Sequence, residues 1–161
     1  MKETEKRLIM LNIALFVCNS YEENTMVINR KDSHDAIIID PGCTEGEELD
    51  RVVSYIEKNG LKPAAILLTH AHPDHTAGVA ALQGKYGIPV YMHPLERPKD
   101  SFRSTDIEDG QVLELAGIKL KVIGTPGHTP GGVCYLDSED KALFSGDTLF
   151  AGTIGRTDLE G

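Results

Sequence analysis

"LLTHAHPDHTAG", Leu67–Gly78, sets three histidines and an aspartate into the six positions from His70 to His75, directly after a run of apolar residues. A surface loop needs polar side chains, but solvation alone does not require this set at this spacing. "AAILL", Ala64–Leu68, has the length of a short buried strand, and "TAGVAALQGKYG", Thr76–Gly87, reads as a helix with small residues on one face. The cluster therefore lies where a strand hands over to a helix, a place where sheet proteins tend to put active groups. His70 and His72 are two apart on an extended turn, so both imidazoles can converge on one side. Asp74 and His75 follow beyond the kink that Pro73 imposes. Two imidazoles and a carboxylate suit zinc, and imidazole also suits iron. Ala77 and Gly78 let backbone come close to such a centre. The competing reading is structural, with Asp74 or Thr76 capping the helix that follows.

Two later stretches weigh against that competing reading. "GTPGHTPGG", Gly124–Gly132, holds His128 between Pro-Gly turns after the apolar run "KLKVI", and "LFSGDTLF", Leu143–Phe150, puts Asp147 at the end of another buried strand. A lone histidine is more often structural, and an aspartate after glycine is often only a turn. Taken together, in this order and each at a strand end, they point to a metal centre.

Around these motifs the pattern is that of an α/β chain. Leu8–Val17, Asn24–Asn29 and Ala36–Asp40 read as strands. "TEGEELDRVVSYIEKNG", Thr44–Gly60, has acids at its start, Val52, Val53 and Ile56 at helical spacing, and a closing glycine. "IPVYM" is another strand, and "HPLERPKDSFRSTDIEDG", His93–Gly110, reads as a long loop. Strands return in "QVLELAG", "IKLKVIG", "GVCYLD" and "KALFSG". Strand–helix alternation followed by consecutive strands predicts sheets covered by helices.

Composition narrows the function classes. The 161 residues fit one domain, 1–161, with an ordinary 40% hydrophobic share. No stretch reaches the roughly 18 consecutive apolar residues of a membrane span. Ile9–Val17 is interrupted by Asn12 and followed by "CNSYEEN", a poor cleavage site, so it reads as a strand and not a signal peptide. A net charge of −9 argues against a nucleic-acid surface. The acids of "EGEELD", "DIEDG" and "DSED" read as solvated faces and turns. Cys18, Cys43 and Cys134 form no CxxC pair, so neither a disulfide framework nor a thiolate zinc site is indicated, and a reducing cytoplasmic setting follows.

The order "HAHPDH", "TPGHTPG", "SGDTLF" resembles the metallo-β-lactamase-fold hydrolases, over nearly the whole chain from "NSYEENTMVI" and "IIIDPG" to "GTIGRTDLEG". "GDTLF" and "GRTD" are most similar to the short bacterial glyoxalase-II-like (hydroxyacylglutathione hydrolase-like) subgroup. The resemblance implies a four-layer αβ/βα sandwich with metals at one edge. It implies two zinc ions, with iron or manganese as alternatives. His70, His72 and His128 match the first metal site, Asp74 and His75 the second, and Asp147 the bridging carboxylate. Asp40 matches an acid that supports the ligand loop, although it also suits an Asp-Pro-Gly turn. The implied activity is attack of a metal-bound hydroxide on a small thioester, ester or lactone, with Asp74 orienting the nucleophile and relaying its proton. Arg156 matches a basic residue that contacts substrate and can hold a carboxylate in bidentate fashion.

This sequence departs from that pattern in one respect. The family has a further histidine after the region where the chain stops, and His34 and His93 do not match it: His34 reads as a surface turn residue and His93 as a loop or helix-start residue. The expectation is a truncated chain without the final strand, helix and histidine ligand, as a monomer or homodimer. Thr157 and Asp158 replace the next aromatic of the glyoxalase-II pattern. Two other functions stay open: a mononuclear iron persulfide dioxygenase using His70, His128 and Asp147, and a truncated, non-catalytic metal-binding domain.

Overall fold

The computed structural model of the chain describes residues 10–96 and 102–159. Strands β1 (Leu11–Cys18), β2 (Glu23–Arg30) and β3 (Asp35–Ile39) form an antiparallel meander. Helix α1 (Glu47–Lys58) crosses over to β4 (Lys62–Leu67), which lies parallel to β3. α2 (Pro73–Thr76) and α3 (Val79–Tyr86) lead to β5 (Val90–Met92) and then β6 (Thr105–Asp106), giving a six-stranded sheet in the order β1-β2-β3-β4-β5-β6. A second, antiparallel sheet runs β10-β9-β8-β7, from β7 (Val112–Leu115), β8 (Ile118–Gly124), β9 (Val133–Asp137) and β10 (Ala142–Phe144). β11 (Leu149–Phe150) and β12 (Thr153–Ile154) close the described chain as a hairpin.

The apolar run of β3 explains the layering. Ala36 and Ile38 pack with Val52 and Ile56 of α1 and with Val79 and Leu82 of α3. Ile37 and Ile39 point the other way, into a core with Leu120, Val122 and Tyr135 of the second sheet. A strand buried on both faces has no polar side, so it reads as a continuous hydrophobic run. Each such fully buried Ile or Leu stabilises the fold by roughly 1.5–3 kcal/mol. The order of layers is helices, six-stranded sheet, four-stranded sheet. Among the described residues no helix covers the outer face of the second sheet, where Val112 and Leu143 stay exposed. No helix among the described residues is long and apolar enough to cross a membrane.

Three local expectations are corrected, and one element the sequence reading did not address is added. The single helix expected over Thr76–Gly87 is two pieces, because Gly78 packs directly on the turn after β3. Its N–H donates to the Pro41 carbonyl at 2.8 Å, and a Cβ there would lie 2.6 Å from the Cys43 sulfur. The long loop after Met92 holds a 3-10 turn, Pro94–Glu96, and the two-residue strand β6, which is too short to show a period; residues 97–101 of that loop lie outside the described residues. The "LFAGTI" tail forms the β11–β12 hairpin around Gly152, whose φ is +82°. Finally, "DSED" is only partly solvated. Asp137 is fully buried, and the Arg30 guanidinium lies 3.3 Å from it, 2.8 Å from Asp140 and 2.7 Å from Glu139. The last residue of β2 is thus pinned to the β9–β10 turn.

Candidate metal centre

The polar residues of interest cluster at strand ends along one edge of the two sheets. Asp40 follows β3, Thr69 and His70 follow β4, His128 lies between β8 and β9, and Asp147 follows β10. Pro73 opens α2, which carries Asp74 and His75 on its single turn. No side chain caps α3, whose N-cap is Gly78, so neither Asp74 nor Thr76 serves the capping role that was the alternative reading.

Asp147 lies between two groups. Its Oδ2 is 3.1 Å from His128 Nε2 and 3.7 Å from His70 Nε2, while its Oδ1 is 3.2 Å from His75 Nε2. His72 Nδ1 is 3.0 Å from His128 Nε2, and Asp74 Oδ2 is 3.4 Å from His75 Nε2. One ligand atom from each of His70, His72, His128 and Asp147 falls within a 4.8 Å group, and so does one from each of Asp74, His75 and Asp147. The two groups share only Asp147.

The ring orientations are set from behind. The Asp40 carboxylate accepts the Thr69 N–H at 2.7 Å and the Thr69 hydroxyl at 2.5 Å. That hydroxyl in turn lies 3.0 Å from His70 Nδ1, and Asp40 Oδ2 lies 3.0 Å from His75 Nδ1. His128 Nδ1 lies 3.0 Å from the Arg156 carbonyl. With Nδ1–H donated in each case, the Nε2 atoms of His70, His75 and His128 are turned toward Asp147. Asp40 takes φ 45°, a left-handed conformation that aspartate tolerates.

Burial and charge sort the protonation states. Burial, then the neighbouring His75, depress the pKa of His70 to about 4. His72 is lowered as well, by burial and then by His128. Burial opposes protonation of His75, but hydrogen bonds to Asp147 and Asp40 outweigh it and raise its pKa to about 11. For Asp147, burial favours the neutral acid, and the hydrogen bond from His75 overrides it, so its pKa falls. His70 and His72 are therefore neutral imidazoles beside an ionised carboxylate. At His75, a proton sits where a cation would take its place.

A metal ion fits these residues. His70 Nε2 is buried without a hydrogen-bond partner, and it points into the ring formed by His72, His128 and Asp147. A bare imidazole nitrogen facing other lone pairs and a carboxylate is an arrangement that a cation satisfies.

The residues singled out from sequence thus divide. His70, His72, Asp74, His75, His128 and Asp147 are brought together, with Asp40 directly behind them. Arg156 contributes its backbone carbonyl behind His128, while its exposed side chain forks onto Asp158 at 2.8 and 2.9 Å. His34 is exposed, and His93 accepts the Leu95 N–H outside both groups. Two residues escaped the sequence reading. Thr69 relays Asp40 to His70, and Glu23 on β2 lies buried 3.7 Å from His75 Nδ1. Burial, then Asp40, raise the Glu23 pKa to about 9. An acid inside the strand run "ENTMVI" was the available signal.

Comparison with known proteins covers the part of the chain that holds these residues. The sequence model of the Metallo-beta-lactamase superfamily matches residues 21–161. The chain is similar to the hydroxyacylglutathione hydrolase GloC of Haemophilus influenzae, with 30% identity over 92% of this chain and 77% of that protein. Among solved structures, the BLEG-1 B3 metallo-beta-lactamase superposes with a TM-score of 0.80 at 32% identity, covering 93% of this chain and 78% of that one. TTHA1623 in a di-iron-bound form gives a TM-score of 0.77 at 34% identity, covering 92% and 78%.

Proposed function

The chain belongs to the metallo-β-lactamase superfamily, and on that premise we propose that it is a metal-dependent hydrolase of small thioesters, esters or lactones, closest in chemistry to hydroxyacylglutathione hydrolases. The observation that carries this reading is Asp147, whose two carboxylate oxygens face two separate imidazole groups. His70, His72, His128 and Asp147 would hold one ion, and Asp74, His75 and Asp147 a second. Zinc suits this donor set, and iron or manganese are the alternatives. Bound there, such ions supply Lewis acidity and make water a nucleophile near neutral pH.

The chain's own residues do the rest. Asp74 would orient the nucleophile and take its proton, a role supported by its half-buried position beside His75. A cleft of about 440 Å³, lined among others by Tyr21, Asp74, His75, Asp147 and Phe150, leaves room for a small acyl substrate beside the carboxylates. Arg156 is the proposed contact for a substrate carboxylate, which would replace Asp158 in its fork. Three free, buried cysteines are in keeping with a reducing, cytoplasmic setting.

The test is a thioesterase assay on the metal-loaded chain, with a hydroxyacylglutathione and simple acyl thioesters, beside His128→Ala. Turnover that is lost together with metal in the variant supports the proposal. A chain that holds metal but cleaves no thioester, ester or lactone is a binding domain and ends it. Oxygen consumption on a glutathione persulfide in place of hydrolysis would assign iron dioxygenase chemistry instead.

A further inference from the structure

We propose that Glu96 is a positioning residue for the metal centre: one buried carboxylate that ties the His70–His72 loop to the His128 loop and so sets how tightly the imidazoles hold a cation. The inference rests on the hydrolase reading only for the presence of a metal, not for the reaction.

Glu96 ends the 3-10 turn after β5 and is 9% exposed. Its Oε2 accepts the N–H of Ala71, the residue between His70 and His72, at 2.9 Å. Its Oε1 accepts the N–H of Gly131, three residues beyond His128, at 2.8 Å. The two donors lie 25 and 35 residues away in sequence, on segments that belong to no helix or strand. One carboxylate that accepts an N–H from each is a direct tie between two otherwise separate loops. The mount itself is fixed, since the Glu96 N–H donates to the His93 carbonyl at 2.9 Å and the Leu95 N–H to His93 Nδ1 at 3.2 Å.

The second loop is shaped to receive this carboxylate. A Cβ on Gly131 would come within 2.9 Å of both Glu96 Cγ and His93 Nδ1 and 3.0 Å of Oε1, so a larger residue there forces the acid or its His93 mount to shift. That explains the second Pro-Gly of "PGHTPGG", which a turn alone does not require. Neither Glu96 oxygen belongs to the ligand groups, so its influence passes through the loops. Glutamine offers one acceptor and an amide that meets a donor, and aspartate is one methylene too short to reach both. Neither substitutes.

Cobalt(II) is the probe, with affinity read by chelator competition, geometry by the visible spectrum, and fold stability by melting in excess chelator. Glu96→Ala and Glu96→Gln should weaken cobalt binding about tenfold to a hundredfold, the range seen when groups supporting metal ligands are removed, and should change the visible bands. Leu95→Ala, on the same turn and 67% exposed, should change neither. Gly131→Ala, which pushes the carboxylate off its donor, should repeat the loss and serves if Glu96→Ala fails to fold. Wild-type affinity and spectrum in Glu96→Gln and Gly131→Ala overturn the proposal, and a lower melting temperature alone makes Glu96 merely a stabiliser of the fold. A wild-type chain that binds cobalt yet cleaves no acyl substrate ends the hydrolase reading and leaves this one intact. Hydrolysis with unchanged affinity in the variants does the reverse.

Discussion

Asp40 stands directly behind His75, with its Oδ2 3.0 Å from the ring Nδ1, while the same oxygen takes the hydroxyl proton of Thr69. One carboxylate therefore orients imidazoles in both groups, His75 by contact and His70 through Thr69. Its acceptor-only character fixes which nitrogen of His75 keeps the proton. That turns Nε2 toward Asp74 and Asp147, where a metal would displace its proton.

Asp40→Asn tests this arrangement with little change of shape, because asparagine tolerates the left-handed φ of 45° as well as aspartate does. Its amide N–H would donate to His75 Nδ1 and drive the ring proton to Nε2, where it blocks a ligand bond. Metal affinity at His75 should fall about tenfold to a hundredfold, while the His70–His72–His128 group keeps its ion. Metal titration should show two equivalents becoming one. Two equivalents of unchanged affinity would mean that the Asp40 charge does not govern His75.

Arg30→Met addresses the opposite end of the molecule. The substitution leaves Asp137, whose side chain is fully buried, without its cation. Breaking a buried pair from one side costs about 3–5 kcal/mol, so urea unfolding should show a loss of that order. Glu139→Gln removes a partner that is 60% exposed and should cost less than about 1 kcal/mol. Equal losses in the two variants would show that the buried acid is not the controlling partner.

The ligand residues were legible because each sits in a local frame that sequence can display, with an apolar strand before it and Pro or Gly close by. His128 between its Pro-Gly turns and Asp147 after "LFSG" are cases of this kind. Asp40 was visible for the same reason at the end of "IIID". Glu96 and Asp137 were not legible, since each is an acid whose burial is created by chain far away in sequence, and Glu23 showed only as an acid inside a strand run. Nothing near Glu96 announces that Ala71 and Gly131 will turn their N–H groups toward it. The split between α2 and α3 was hidden likewise, because helical spacing continues through Gly78 while the close approach of Cys43 does not appear in the pattern.

Gly146→Ala probes how Asp147 is delivered. Gly146 has φ 51°, and a Cβ there would run into the Thr69 side chain, which holds Asp40 and His70 in place. Alanine at a left-handed position with no free space should destabilise the fold by more than about 1 kcal/mol. Because the clash falls on Thr69, metal affinity should drop as well. A variant that melts lower but binds metal as tightly as wild type would separate the turn from the centre.

The thiols give a pH-dependent prediction away from the metal centre. Burial, followed by the nearby Cys18, raises the Cys43 pKa from 9.0 to about 12, and burial also raises that of Cys18. In the unfolded chain Cys43 loses its proton near pH 9, whereas the folded chain keeps it until about pH 12. The folded state then binds the extra proton, so stability is full below pH 9 and declines as pH rises through that window, by at most about 1.4 kcal/mol per pH unit for one group. Urea unfolding at pH 8 and pH 10.5 should show a steeper loss for wild type than for Cys43→Ala. All three cysteines are free and buried, so a thiol reagent at pH 8 should label the folded chain slowly and the unfolded chain at three sites. Rapid labelling of the folded chain, or equal pH slopes for wild type and variant, would show that Cys43 is not shielded in the layer between α1 and the first sheet.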